Sequence, residues 1–142
     1  TAVFFSLSPL GVAFWDPHSV HYWKSLYVIS ERAQQIDKVL EQIPENSRVA
    51  STDFIHPRFT HYERSYDYSQ YARKVSGYEL RVPEDTNYIV IDTGHRYSWI
   101  KSPDEIPELQ NEPEKWELLP DRTSGDFLIL KRRETSTQKE TP

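Results

Sequence analysis

Apolar side chains recur at three- and four-residue spacing between Ser30 and Pro44. Ala33, Ile36, Leu40 and Ile43 share one face, while Glu31, Arg32, Gln35, Lys38 and Gln42 lie elsewhere. That period predicts an amphipathic helix, with Ser30 placed to cap it, Glu31 suited to its positive amino end and Pro44 stopping it. Burying Ile36, Leu40 and Ile43 is worth on the order of 1.5–3 kcal/mol each, well above the propensity differences. "PENS" at 44–47 is a turn, and "RVAST" at 48–52 predicts a short strand that turns polar at Thr52 and Asp53. "FIHPRF" reads as a turn or a brief helical piece, and "HYERSYDY" at 61–68 alternates as a second strand. Residues 69–86, with Gly77, Pro83 and many charges, read as loop or a short helix.

"NYIVID" at 87–92 is the most apolar uninterrupted run and predicts a central strand covered on both faces. Three prolines in "PDEIPELQNEPE" at 103–114 leave room for at most one short helix. "KWELLPDRTSGDFLILKRR" then reads as two strands joined by a turn at Ser124 and Gly125. The order of elements predicts a small layered α/β domain with a mixed sheet and a C-terminal antiparallel β-hairpin, strand order left open.

Composition narrows the classes. The 142 residues fit one domain, and a formal charge of -5 without a Lys/Arg stripe argues against nucleic acid and against an anionic lipid surface as partners. The absence of Cys excludes disulfides, thiolate zinc sites and a Cys nucleophile. With no Met and Thr1 at its head, the chain is expected to belong to a longer protein. Residues 1–15 carry no charge. They are shorter than the ~20 residues of a membrane-spanning helix, are interrupted by Pro9 and Gly11, and lack the basic head of a signal peptide. They read either as a buried strand or loop packed on the core, or as the trailing end of a membrane helix; residues 16–28 read as a connector or short helix. The expected organisation is an apolar, aromatic opening segment over 1–28, the α/β domain over 29–133 and a disordered tail over 134–142.

Asp92 lies in Asp-Thr-Gly, the spelling of half an aspartic protease site. Such a site needs two carboxylates sharing a proton and a small residue after the glycine, where this chain has His95. With glycines only at 11, 77, 94 and 125, the Gly-bearing segments around such a site have no place, so Asp92 reads as the polar end of a buried strand. If the strands ending at Asp53 and Asp92 are parallel neighbours, both carboxylates share the rim where open α/β sheets place ligands. His56 and His95 follow the same strands, which gives an alternative acid/base or metal-assisted hydrolase built on Asp53, Asp92, His56 and His95. The five histidines lack a zinc spacing, no G-x-S-x-G elbow exists and no Gly-rich phosphate loop follows either strand. Neither a metal nor a cofactor is therefore expected, and no catalytic residue is assigned beyond that alternative. Tyr62, Tyr66, Tyr68, Tyr71 and Tyr78, interleaved with Arg58, Arg64 and Arg73, read as a platform for a sugar or lipid headgroup or as core packing. Arg58, Arg64, Tyr66 and Tyr68 are the binding candidates. "DFLILK" reads as a capable edge strand, which would suit a protein-binding module.

The ordered series "SPLGVAFWDP", "AQQIDKVLEQIPENSRVASTDFIHPRFTHYERSY", "NYIVIDTG" and "FLILKRR" resembles the soluble carboxyl-terminal region of an uncharacterised family of predicted multispanning bacterial membrane proteins. Those proteins are similar in layout to integral-membrane, mannosyltransferase-type glycosyltransferases that use lipid-linked sugars. The resemblance covers most of residues 8–132 and matches poorly over 69–86. It implies that the catalytic aspartates lie in loops between membrane helices, outside these residues, so none carries over to a position here. It also implies a non-catalytic domain on the outer face of the cytoplasmic membrane of a bacterium. Its expected partners are the membrane-embedded part of the parent and a sugar or lipid-linked acceptor.

Overall fold

The structure is a computed structural model that describes residues 9–24, 31–52, 54–123 and 125–133. The chain divides into two compact units, residues 1–34 and 35–142. In the first, helix α1 spans Pro9–Trp15, so of residues 1–15, read as a strand or loop, the described ones are helical. Pro9 does not break it, because at a first helical position the missing N–H has no intrahelical partner to lose and the fixed φ already suits the helix. Turns follow. Trp23 N donates to Phe14 O at 2.9 Å, and the rings of Phe14 and Trp15, Trp15 and Trp23, and Tyr22 and Trp23 meet edge-on at 5.2, 6.1 and 6.2 Å. Among the described residues, no helix is long and apolar enough to cross a membrane.

Helix α2 covers Glu31–Leu40, as its period predicts; Ser30, the expected cap, lies outside the described residues. Its core-facing stripe is Ile36, Val39, Leu40 and Ile43, with Val39 fully buried. Strands β1 (Arg48–Ser51), β2 (Arg64–Asp67) and β3 (Tyr88–Asp92) are parallel, and β4 (Trp116–Leu118) and β5 (Phe127–Arg132) form the antiparallel hairpin. The order is β2-β1-β3-β5-β4, a five-stranded mixed sheet in a small α/β domain. β5 is interior, paired with β3 on one side and β4 on the other. "DFLILK" is thus not an edge strand; the edges are β2 and the three-residue β4.

The sheet separates two cores. On one face Val49, Tyr88, Val90, Phe127 and Ile129 pack with α2 and with Ile55, Phe59 and Tyr62, which come from the segment around a 3-10 turn at His56–Phe59. On the other, Ala50, Ile89, Ile91 and Leu130 pack with Tyr68, Val82, Ile100, Ile106 and Trp116. β3 is buried at every position, which is why its sequence is continuously apolar instead of alternating. Over the second face lie helix α3 (Gln70–Val75), a 3-10 turn at Pro103–Glu105 and helix α4 (Pro107–Asn111). The segment 103–114 therefore holds two short helical pieces instead of one, each opened by a proline at a position that tolerates it.

Candidate functional site

β1 and β3 are parallel neighbours, but the chain leaves their carboxyl ends in opposite directions, toward edge strand β2 and toward the hairpin respectively. The point where such loops part is the place where open α/β sheets carry ligands. The residues around it are Ser51, Thr52, Phe54, His56, Asp92, Thr93 and His95; Asp53 lies outside the described residues. Of the expected group Asp53, Asp92, His56 and His95, the three described residues follow the carboxyl ends of β1 and β3, and their hydrogen bonds show what each does. Asp92 N donates to Thr52 Oγ1 at 2.9 Å, joining the two strand ends. Asp92 is 2% exposed, and its Oδ1 accepts from His95 N at 3.0 Å, closing the turn over Asp-Thr-Gly-His. The carboxylate caps a strand end, as an Asp in a turn commonly does.

Ser51 Oγ lies 3.0 Å from His56 Nδ1, the spacing of a nucleophile and its base. Ser51 is nevertheless fully buried, so its oxygen cannot reach a substrate, and the contact ties the 3-10 turn to β1. His95 stacks on Phe54 at 3.6 Å between centroids and accepts from Tyr97 N through Nδ1 at 3.3 Å. Lys101 Nζ closes the loop on Thr93 O and His95 O at 2.8 and 2.7 Å. Among the described residues no group of three or more His, Asp or Glu side chains converges as metal ligands do.

The candidate binding residues separate. Arg64 and Tyr66 are together on β2 and both engage Asp85, Arg64 Nη1 at 3.0 Å and Tyr66 OH at 2.7 Å. Desolvation acts to raise the Asp85 carboxyl, but the Tyr66 hydroxyl and the charges of Arg64 and Arg48 outweigh it and hold the group below its ordinary range. Arg58 sits in the 3-10 turn that packs on the opposite face, 3.9 Å from Asp37. Tyr68 is no platform: it is fully buried, and its OH donates to Glu108 Oε2 at 2.5 Å. Burial, seconded by the Glu108 charge, pushes its phenol far above the ordinary value.

That tyrosine leads to a buried polar cluster. Arg73 donates from Nη2 to Glu108 Oε1 at 2.7 Å and to Glu79 O at 2.9 Å, and from Nε to Tyr78 O at 3.3 Å. Glu108 Oε1 also accepts from Val82 N at 3.0 Å. The Arg73 guanidinium lies 4.2 Å over the Tyr68 ring, against which Trp99 also stacks at 6.5 Å. Arg73 Nη1 is buried and has no hydrogen-bond partner among the described residues. A cavity of about 130 Å³ adjoins the cluster, lined by Gln70, Arg73, Glu79 and Trp99. Glu108 carries no sequence signal, and the sequence places Arg73 only among the residues of an aromatic platform or core packing, without a partner; α4 and α3 are each too short for a period to show their buried side.

Comparison of the chain with protein-family models, with curated proteins and with solved structures gives no match.

Proposed function

We propose that this chain is a non-catalytic extracytoplasmic domain of a multispanning bacterial membrane protein with the layout of an integral-membrane glycosyltransferase. It rests against the outer face of the cytoplasmic membrane and there binds the acceptor or orders loops of the embedded part. The observation that carries this reading is the aromatic surface of the first unit: Val12, Phe14, Trp15 and Val20 are exposed, and Tyr22 and Trp23 continue the ring contacts of Trp15. Tyr and Trp rings favour the headgroup layer of a bilayer, where one end is wet and the other apolar, and a cluster of exposed apolar side chains marks a contact surface. The rim supports the non-catalytic half of the proposal, since Asp92 caps a turn and Ser51 is sealed from solvent.

The test is partition of the purified chain onto vesicles of phosphatidylcholine, some carrying brominated acyl chains. Tryptophan emission should shift to the blue and be quenched by bromine, and the triple change Val12→Ser, Phe14→Ser, Trp15→Ser should abolish both effects. A chain that stays in the aqueous phase at large lipid excess refutes the reading.

A second reading keeps the rim as the site of a small hydrolase, because Asp92, His56 and His95 all follow the carboxyl ends of the neighbouring strands β1 and β3. It requires turnover by the isolated chain that disappears in His95→Ala while the unfolding midpoint is kept.

A further inference from the structure

A pocket of about 550 Å³ lies at the end of the sheet opposite the rim, where β1 and β3 begin and β5 finishes. A cleft of that size takes a small molecule. Lys131 and Arg133 form one wall; Arg133 N donates to Lys115 O at 2.8 Å, so the pairing with the hairpin's other arm continues one residue past β5. Two positions apart on an extended chain, they project to the same side. Arg132, between them, carries its guanidinium over the Trp116 ring at 5.0 Å, on the other face. Asn46 and Ser47 enter from the turn after α2, and Asn87 from the position before β3. Asn87 Oδ1 accepts from Arg48 N at 3.0 Å, which fixes the amide and leaves its NH2 as a donor.

We propose that this pocket binds the phosphate group of a small soluble phosphate ester, with Lys131 and Arg133 supplying the charge and Asn46, Ser47 and Asn87 the neutral donors. No carboxylate lines it, and among the described residues neither Lys131 nor Arg133 makes an ion pair. The strand register sets Glu117 opposite Lys131, outside the lining, where it weakens the local field without neutralising the cation. Cations gathered in a concavity attract an anion, and in a chain of net charge -5 their concentration here sets this end of the sheet apart. Phosphate fits better than carboxylate because the donors come from three separate stretches of chain. A carboxylate offers two oxygens in one plane and a single charge; a phosphate monoester offers three oxygens and a charge of about -2 to match two cations. The same net charge of -5 opposes an anionic bilayer, which meets the whole molecule, more than a small ester, which meets only the pocket. The inference is independent of the function proposed above.

The experiment follows the Asn87 side-chain amide and the Lys131 and Arg133 backbone amides by nuclear magnetic resonance in the isotope-labelled full chain, at matched ionic strength. The probes are glycerol phosphate, acetate and vesicles containing phosphatidic acid. Glycerol phosphate should shift all three signals saturably, with half-saturation near ~1 mM and acetate at least about tenfold weaker. Lys131 and Arg133 are exposed, so Lys131→Gln with Arg133→Gln should keep the unfolding midpoint and weaken binding more than about tenfold. Glu117→Gln, which removes a repelling charge, should tighten it about twofold. Four results overturn the proposal: no saturable shift up to about 100 mM glycerol phosphate, equal affinity for acetate, unchanged affinity in the double variant, or sedimentation with phosphatidic acid vesicles that the double variant abolishes, which would assign the pocket to a membrane.

Discussion

Arg73 and Glu108, separated by 35 positions in the chain, form an ion pair at 2.7 Å that water scarcely reaches, the arginine 1% and the glutamate 0% exposed. The pair fixes α3 and α4 to one another across the second face of the sheet, and the Tyr68 hydroxyl and Val82 amide complete the carboxylate's shell. A buried pair of this kind costs desolvation on both sides, and its worth lies in what happens when half is removed. Glu108→Ala should therefore lower unfolding free energy by about 3–5 kcal/mol, because it strands a guanidinium in the interior. Arg73→Met with Glu108→Leu together should cost clearly less than either single change. Urea titration of the three variants checks this, and a double variant as damaged as the sum of the singles would count against it.

Asp92 offers a sharper contrast between a cap and a catalyst. Its Oδ1 accepts from His95 N, and an Asn side chain retains an oxygen at that place while Ala does not. Asp92→Asn is expected to keep most of the stability. Asp92→Ala should lose about 1–3 kcal/mol, the cost of an unmet buried polar group. Equal losses in the two variants, read by thermal and urea unfolding, would point to the carboxylate's charge instead of its hydrogen bond.

Asp85 should make the fold acid-sensitive. Its carboxyl is held below the ordinary value of 3.8 in the folded state, against the upward pull of desolvation, by Tyr66, Arg64 and Arg48. A group with a depressed folded value binds fewer protons folded than unfolded. Its contribution is fully present above pH 3.8 and is lost as pH falls through the folded value. The gap in urea midpoint between the natural chain and Asp85→Asn should hence be constant at neutral pH and close below about pH 4. Asp121, lowered chiefly by the Thr123 amide, titrates in the same window but is common to both proteins and cancels in the comparison.

Periodicity and turn chemistry made the sheet and α2 legible. Pro44 and "PENS" mark the turn before β1, the unbroken apolar run marks β3 as central, and Gly125, at φ +92°, marks the hairpin turn. Strand order was not legible, because each parallel crossover can go to either side of β1 and no residue states which. That missing order is also why "DFLILK" read as an edge: an apolar strand looks the same whether its second neighbour is solvent or the short β4. Helix α1 was hidden by Pro9, a helix breaker inside an element and a helix starter at its first position. Of the candidate site, the rim histidines and Asp92 follow from strand ends and were foreseeable. The Arg73–Glu108 pair joins two helices too short to show a period, so only the folded chain brings it into view.

Val39 gives the last prediction, since it was absent from the expected helical stripe and is the most buried side chain of α2. The stripe Ile36, Val39, Leu40 and Ile43 has the i, i+3, i+4, i+7 spacing of one helix face, with Val39 at its centre and Ile36 at its margin. Ile36 carries more carbon than Val39 but is only partly buried against the core. Transfer free energy follows area removed from water, and a cavity forms only where neighbours enclose the lost atoms. Val39→Ala should therefore cost about 2 kcal/mol, two buried carbons at ~0.8 each plus the void they leave, and Ile36→Ala should cost less despite losing three carbons. Urea midpoints in the reverse order would mean that α2 is rotated on the sheet so that Ile36, and not Val39, faces Val49 and Ile129.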